Sequence, residues 1–201
     1  MRVKLGSRAR CTDGVVGTVS DVVVDPQLRR VTHVVVETGR SVARLVPLEV
    51  VGMGTDKDEL GLNCTFEELH RYELIRQYAY LEVDEFPKAD EETDVGVEDM
   101  IALPYAGNSE FGDYAGELDT AVTVTYDRIP KGEAELRRSS EVVSEDGQHL
   151  GHVDGVVVAG VDVTHIVLEH GHLWRKQDVE IPIGDVREIA TDRVTVAARP
   201  H

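Results

Sequence analysis

One phrase of this sequence occurs twice. The segment RVTHVVVETGR at 30–40 returns as DVTHIVLEHGH at 162–172. The similarity extends outward from both copies, and the length differences between them fall where turns are expected, which is where insertions are tolerated. Further aligned pairs are Gly14 with Gly147, Gly39 with Gly171, and Pro47 with Pro182. This repeat predicts an internal duplication, in which the two halves of the chain share one fold.

Each half has the sequence pattern of a small β-structure. Val-rich segments alternate with turn signals, and each half has an Asp-Gly pair between apolar residues, a strong signal for a hairpin. We predict strands near 8–11, 15–24, 31–37, 41–46, 49–53 and 58–62, and near 141–144, 149–158, 162–169, 173–182, 186–190 and 193–197. The predicted fold class is mainly β, with a small closed or nearly closed barrel in each half, because closure removes exposed sheet edges.

A different kind of sequence separates the two halves. Thr65 to Glu68 fits a capping box, which predicts a short helix over about 65–79. The stretch 82–119 has 13 acidic residues and one basic residue, with little periodicity, as in a solvated tether. We therefore predict barrel domains at 1–63 and 128–201, joined by an acidic, partly helical or irregular connector at 64–127. A strand over 120–129 is expected to lead into the second domain.

Composition restricts the location of the protein and its classes of partner. The formal net charge is −17, and a net-negative chain lacks the clustered Lys and Arg that binding to free nucleic acid requires. No segment approaches the roughly 18 apolar residues of a membrane span, and the first residues lack the apolar region of a secretory signal. The only cysteines are Cys11 and Cys64, with no CxxC motif. We predict a cytoplasmic protein without membrane insertion.

The two halves resemble the PRC-barrel domain, named for the cytoplasmic domain of the photosynthetic reaction-centre H subunit. The first half carries the resemblance in DVVVD, VTHVVVETG, VPLEVV and DELGLN, and the second in EDGQHLGHVDGVVV and VTHIVLEHGHLWRKQDVEIPIGDV. The second half is similar to the bacterial stand-alone branch. The resemblance implies a small β-barrel used for protein contacts, with no chemistry common to the family. Other members are the C-terminal domain of a ribosome-maturation factor and an archaeal cell-division scaffold.

Histidines concentrate in the second half. His170 and His172 are two residues apart, so on a strand both point to one face, and with His165 they are candidate metal ligands. The first half has Thr38 and Arg40 at the places of His170 and His172, which favours a polar hairpin instead. Metal binding and a polar hairpin both remain open at this point.

Residues that both halves share are expected to be structural. His33 and His165 each follow Thr in an apolar strand, where a histidine more often makes a structural hydrogen bond than performs catalysis. Turn and strand-end roles are predicted for Gly14, Gly147, Gly39, Gly171, Pro47 and Pro182.

Aromatic and basic side chains outside the strands are candidate partner contacts. The only tryptophan, Trp174, lies in an expanded hairpin of the second half beside two basic residues, and Trp and Arg are over-represented in interface hot spots. The alternative is that Trp174 covers the open end of a barrel. The aromatic residues of the acidic stretch either anchor it to a barrel or dock a partner. The candidate contacts are Trp174, Arg175, Lys176, Tyr105, Phe111 and Tyr114.

Sequence motifs of known enzyme classes are missing. There is no GxGxxG after a strand, no phosphate-binding GxxxxGK[ST], no GxSxG and no HExxH. Cys64 precedes a predicted helix, which lowers a thiol pKa in other proteins, but no partner histidine is evident. We expect no catalytic residue, no cofactor and no enzymatic activity.

These observations favour a non-catalytic interaction, scaffold or regulatory module that binds a protein partner. One alternative is a metal or small-ligand sensor that uses the histidines of the second half. A weaker alternative, which follows only from the family resemblance, is a ribosome-associated assembly factor. Because two undersized cores gain stability by mutual burial, we also expect either pairing of the two barrels about a pseudo-twofold axis within the chain or a homodimer.

Overall fold

Valine-rich strands form most of the structure. The computed structural model describes residues 1–39, 42–56, 58–81, 93–101, 122–170 and 177–198. The strands of the first half are β1 (Arg2–Lys4), β2 (Arg8–Cys11), β3 (Gly14–Asp25), β4 (Arg30–Glu37), β5 (Ala43–Pro47), β6 (Val51–Met53) and β7 (Glu59–Leu62). The middle of the chain forms α1 (Phe66–Leu69), β8 (Arg76–Leu81), β9 (Thr93–Ile101) and β10 (Val122–Pro130). The second half forms β11 (Ala134–Arg137), β12 (Glu141–Ser144), β13 (His149–Ala159), β14 (Asp162–His170), β15 (Gln177–Pro182), β16 (Val186–Ala190) and β17 (Arg193–Val196).

Contacts divide the chain into two compact units. The first unit is Met1–Ile75 with Gly132–His201, and it contains both halves of the repeat. The second unit is Arg76–Lys131, in which β8 and β9 pair antiparallel with β10 to form a three-stranded sheet. The fold is mainly β, as predicted. The division into residues 1–63, 64–127 and 128–201 stays a prediction.

The predicted strands of the two halves occur close to their predicted positions. Val-rich β3 and β4 pair antiparallel with Val22 opposite Val34, and both of these side chains are buried. The strand predicted over 49–53 begins only at Val51, because Leu48–Val50 form a short 3-10 turn after Pro47. The strand predicted over 173–182 is described from Gln177 onward, and the one expected over 120–129 is β10.

Two close strand crossings require glycine. A Cβ on Gly17 would lie 1.9 Å from the backbone oxygen of Glu37, and a Cβ on Gly151 would lie 2.5 Å from the backbone oxygen of Glu169. These distances are far inside van der Waals contact, so a side chain at either position would push β3 from β4 or β13 from β14. Glycine therefore sets how closely each central strand pair approaches.

Each half contributes one strand to the sheet of the other half. In one exchange β1 pairs antiparallel with β13, which places Val3 opposite Val156. In the other exchange β11 pairs antiparallel with β3, which places Leu136 opposite Val22. All four side chains are at most 1% exposed, and they belong to one hydrophobic cluster that includes residues of both halves. Sequence analysis did not predict β1 or β11, although they join the two halves.

The two halves also meet along β4 and β14. Arg30 lies opposite Asp162 in this antiparallel pairing, and the Arg30 Nε donates to the Asp162 Oδ1 at 2.8 Å. The backbone bonds on either side are reciprocal: Val31 N donates to Val161 O, and Val163 N donates to Arg29 O, both at 2.9 Å. Arg30 and Asp162 are aligned residues of the repeat, so this contact lies where a twofold axis between the halves would pass.

The guanidinium of Arg29 adds a further link between the halves. Its Nη1 donates to Ile183 O at 2.9 Å and its Nη2 donates to Val186 O at 3.1 Å, so it binds carbonyl oxygens at both ends of the turn between β15 and β16. Charged donors make stronger hydrogen bonds than neutral ones. The two bonds of Arg29 therefore help to hold the second half against the first.

Over the described residues the sheet does not close. The main strand path runs from β16 at one end to β6 at the other, whereas closed or nearly closed barrels were predicted. The 3-10 turns that follow Pro47 and Pro182 redirect the chain at the end of β5 and of β15. Proline also lacks the backbone donor that would continue the ladder. Over the described residues each half is therefore an open sheet that the exchanged strand of the other half extends.

The helix after the first half is shorter than predicted. The capping box is present, with the Thr65 side chain accepting from Glu68 N and the Glu68 side chain accepting from Thr65 N, but α1 ends at Leu69. The segment expected to continue the helix instead forms β8, whose residues pair with β10. Among the described residues, no helix is long and apolar enough to cross a membrane.

Truncation of Leu136 should test whether the exchanged strands hold the halves together. We expect Leu136→Ala to lower the free energy of unfolding by roughly 2–5 kcal/mol, because it removes a fully buried side chain at the junction. Urea denaturation would measure this change. Leu28→Ala is the control, because Leu28 is 62% exposed and its truncation should cost at most about 0.5 kcal/mol. Equal losses for the two variants would contradict the role given to β11.

Candidate functional site

Many of the residues proposed as contacts or ligands lie outside the described residues. These are Trp174, Arg175, Lys176, Tyr105, Phe111, Tyr114, His172 and Gly171. His170 is the last residue of β14, opposite Gln177 at the start of β15. The roles predicted for these residues therefore stay predictions.

His33 and His165 occupy corresponding positions. His33 lies opposite Val23 and Pro47, and His165 lies opposite Val157 and Pro182. Their surroundings differ: the His33 Nδ1 is 3.9 Å from a carboxylate oxygen of Glu133, whereas the His165 Nδ1 is 3.1 Å from the Thr164 hydroxyl. Both imidazoles are partly buried, and each lies opposite a proline that ends the neighbouring strand.

The glycines and prolines predicted to be structural lie at turns and strand ends. Gly147 has φ +83° in the turn between β12 and β13, and Gly39 has φ +70° two residues after the end of β4; positive φ favours glycine. Gly14 is the first residue of β3. Pro47 and Pro182 each precede a 3-10 turn.

No metal-binding cluster is found in the part of the chain that the structure describes. There, no three or more His, Cys, Asp or Glu side chains are grouped so that they could hold an ion. Of the three candidate ligands, only His165 has a described side chain. Two other histidines of the second half do meet: the rings of His149 and His152 pack edge to face with centroids 5.0 Å apart on β13.

A groove of about 400 Å³ could hold a ligand, and it is lined by residues of the first half together with Asp178 of the second half. We call it the β1 groove, because β1 forms one wall of it with Met1, Arg2 and Lys4. The opposite wall is formed by β6, β7 and the loop between them, and Asp178 of β15 lies at one end. The residues of that opposite wall are Gly52, Met53, Gly54, Asp56, Asp58, Glu59 and Leu60.

Ion pairs neutralise part of the charge in the β1 groove. Arg2 donates to Asp178 at 2.7 Å, so these two side chains compensate one another. Glu59 accepts from the Thr55 hydroxyl at 2.6 Å and pairs with Arg10, and these bonds hold the pKa of Glu59 below its usual range. Asp56 is 71% exposed and reaches Arg8 only at 4.0 Å. The loop wall is therefore the negatively charged side of the groove.

A buried carboxylate lies next to the exchanged strand. Asp154 is 2% exposed, and Lys4 and Arg138 approach it at 3.6 and 3.7 Å. Burial raises the pKa of Asp154, because desolvation disfavours the charged form more than the two cations restore it. Its backbone oxygen accepts from Leu5 N at 2.8 Å, directly after β1. The first half has Ser20 at the aligned place, so this charge is specific to the second half.

The two cysteines form a buried pair of free thiols. The Sγ atoms of Cys11 and Cys64 are 3.7 Å apart. Burial raises the pKa of Cys11 to about 12 and also raises that of Cys64. Although Cys64 precedes a helix start, burial and the nearby carboxylates of Glu68 and Asp13 keep its pKa raised. The two thiols are therefore protonated and weakly nucleophilic at neutral pH.

Comparison with protein families supports the resemblance for the second half. Residues 138–200 match the PRC-barrel domain. The matched segment begins directly after β11, the strand that pairs with the first half. Beside β13 of the matched segment lies β1, from the start of the chain. No curated protein matches the chain.

Sequence reasoning missed both exchanged strands and the β1 groove, which one of them lines. Residues 2–4, Arg-Val-Lys, and 134–137, Ala-Glu-Leu-Arg, are too short and too polar to stand out as strands. The one available signal was the alignment of the repeat itself. When this alignment is continued toward the N-terminus, Val3 aligns with Leu136, so each half has an apolar residue at this position.

The stability of the protein should depend on pH through Asp154. The folded state holds the Asp154 proton more tightly than the unfolded chain does, so this residue stabilises the fold least at high pH. Its contribution falls as the pH rises from the usual aspartate range through the raised pKa. The difference in unfolding free energy between Asp154→Asn and the unchanged protein should therefore shift in favour of the variant between about pH 3 and about pH 7.

Urea denaturation across this pH range would measure that difference. Asp162→Asn is the matched control, since Asp162 has a 60% exposed side chain in a surface ion pair. A pH-independent difference for Asp154→Asn, or the same pH dependence in both variants, would contradict the assignment.

Proposed function

We propose that this protein is a non-catalytic protein-interaction module, acting as a scaffold or a regulator in the cytoplasm. In this proposal its body consists of tandem PRC-barrel-like halves that arose by duplication. The PRC-barrel match at 138–200 supports the second copy. For the first copy, support comes from the matching strand order and from the reciprocal pairing of β1 with β13 and of β11 with β3.

The exchange of strands is the observation that carries the proposal. Each half uses its own sheet together with one strand of the other, so the two halves form a single body with a shared core. A body of this kind has two related but diverged surfaces, which suits a protein that holds partners in a fixed arrangement. Its buried thiols and its neutralised carboxylates are unsuited to nucleophilic or acid–base chemistry.

The partner is proposed to be a protein. The candidate contacts are the Trp174 hairpin, where a tryptophan adjoins Arg175 and Lys176, and the aromatic residues of the acidic stretch at 82–119. Tryptophan and arginine are over-represented where binding energy concentrates. With a net charge of −17 the protein repels phosphate backbones, which disfavours free nucleic acid and also makes help in ribosome assembly the weakest of the proposals.

A pull-down from lysate of the native host would test the proposal. We expect a protein partner at near-stoichiometric yield with the full chain, and its loss with Trp174→Ala or with deletion of 82–119. Phe66→Ala is the control for Trp174→Ala, because Phe66 is a 48% exposed aromatic residue on α1. Recovery of no protein by the full chain, or equal recovery by all variants, would count against the interaction reading.

The second candidate function is a metal sensor. The observation that favours it is the crowding of His149 and His152 on β13, while His165 and His170 lie on the adjacent strand β14. We expect a sensor to bind Zn²⁺ with a 1:1 stoichiometry in isothermal titration calorimetry and to bind it about tenfold more weakly after His170→Ala. His70→Ala, directly after α1, serves as the control. The absence of saturable Zn²⁺ binding would exclude this function.

A further inference from the structure

The β1 groove has a counterpart in the other half, and the two differ. By strand pairing, Leu60 and Val194 occupy corresponding places: Leu60 lies opposite Ala9 of β2, and Val194 lies opposite Val142 of β12. Met53 pairs with Leu60, and Ile189 pairs with Val194. Met53 and Ile189 are thus equivalent apolar residues on β6 and β16. Any difference between their surroundings marks a place where the two halves have diverged.

The equivalent place in the second half is closed. Ile189 is 6% exposed, and β11 packs beside β16. Glu135 and Arg137 of β11 are also buried, and their side chains pair at 2.6 Å. The turn between β16 and β17 consists only of Thr191 and Asp192, and it folds onto β11: Asp192 N donates to Glu135 O, and the Asp192 carboxylate pairs with Arg137, both at 3.5 Å.

In the first half the same place is open. Met53 is 91% exposed, although its equivalent Ile189 is in the core. The connection between β6 and β7 has five residues, 54–58, where the second half has two. The exchanged strand here is β1, and its Arg2 and Lys4 side chains are 38% and 40% exposed, whereas the corresponding Glu135 and Arg137 are buried. The longer loop and the more exposed strand leave the groove between them.

The open groove has a free strand edge. Over the described residues, β6 is the last strand of the main path and pairs only with β7. Gly52 and Gly54 flank Met53 and have no side chains of their own, and the Asn63 side chain lies beside Gly52. A free strand edge beside an exposed apolar residue is the arrangement that binds an extended peptide by adding a strand. Proteins otherwise protect such edges, because an exposed edge can pair with another chain and cause aggregation.

Charge indicates what kind of segment fits. Two acidic residues of the loop, Asp56 and Asp58, line the groove; Asp56 has only a distant arginine, and Asp58 has no ion pair among the described residues. Lys57 lies between them in the sequence. The whole chain carries −17, so a second copy would bring like charge to this edge. The cations of the β1 wall, Arg2 and Lys4, are paired with Asp178 and Asp154, so a cationic segment is attracted chiefly to the loop wall.

We propose that the β1 groove, together with the free edge of β6, binds an extended segment of a protein partner that carries lysine or arginine, with Met53 as the apolar contact. This inference rests on the proposed interaction function and assigns it a surface. Backbone hydrogen bonds to β6 hold the segment, Met53 packs against one of its apolar side chains, and Asp56 and Asp58 bind its basic residues.

Fluorescence anisotropy with a short fluorescein-labelled peptide of alternating lysine and leucine would test the proposal on the full chain. Met53→Ser should weaken binding about tenfold, as expected from loss of one buried apolar side chain. Asp56→Asn with Asp58→Asn should weaken it roughly fivefold and make it less sensitive to salt. Glu188→Gln removes one exposed charge on the equivalent strand of the closed half, and it should leave binding unchanged within about twofold. Met53 is exposed, so thermal melting should confirm that Met53→Ser is folded.

Several results would overturn the proposal. These are no saturable binding by the unchanged protein, equal binding after Met53→Ser, equal loss after Glu188→Gln, or equal binding of a glutamate-leucine peptide. A dimer in light scattering that Met53→Ser dissociates would assign the groove to a second copy instead. The pull-down separates this proposal from the interaction function. If Trp174→Ala loses a lysate partner but the unchanged protein does not bind the peptide, the groove is not a binding site, and the interaction function still stands.

Discussion

The reciprocal pairing of β1 with β13 and of β11 with β3 is the constraint on which the rest of the structure depends. Each half has a sheet too small to bury its own valines, and the borrowed strand supplies the missing cover. Val3 and Leu136 are the apolar contacts of these strands, and both are completely buried. Because the two exchanges use the same register, the halves share one core. The β1 groove follows from this arrangement, since one of its walls is an exchanged strand.

The difference between the two halves has a simple physical origin. In the second half a two-residue turn reaches β11, and the buried Glu135–Arg137 pair fills the space beneath it. In the first half a five-residue loop ends the hairpin, and β1 carries Arg2 and Lys4, which keep their charges in contact with water. Burying a charge costs free energy unless a partner compensates it. The Glu135–Arg137 pair is buried, whereas Arg2 and Lys4 have acidic partners but stay 38% and 40% exposed, which favours an open groove.

The central strands could be predicted from the sequence because their signals are local. Alternating valines and the Asp-Gly pairs placed β3, β4, β13 and β14 to within one or two residues. The exchanged strands have no such signal, because the burial of Arg2–Lys4 and Ala134–Arg137 is determined by the other half of the chain. For the same reason neither the raised pKa of Asp154 nor that of Cys64 could be predicted, since both depend on burial by distant segments. The groove depends on a difference in loop length whose effect appears only after the strands are paired.

The contact between Arg30 and Asp162 has a consequence for how such halves choose their partners. It joins two residues that align in the sequence repeat, so each half meets the counterpart of its own residue there. A first half facing another first half would place arginine against arginine, and two second halves would place aspartate against aspartate. Only the unlike combination brings opposite charges together. The side chains are half exposed, so the preference is modest. The Arg30–Asp162 pair nevertheless disfavours pairing between two identical halves. It favours the pairing of a first half with a second half, as in this chain.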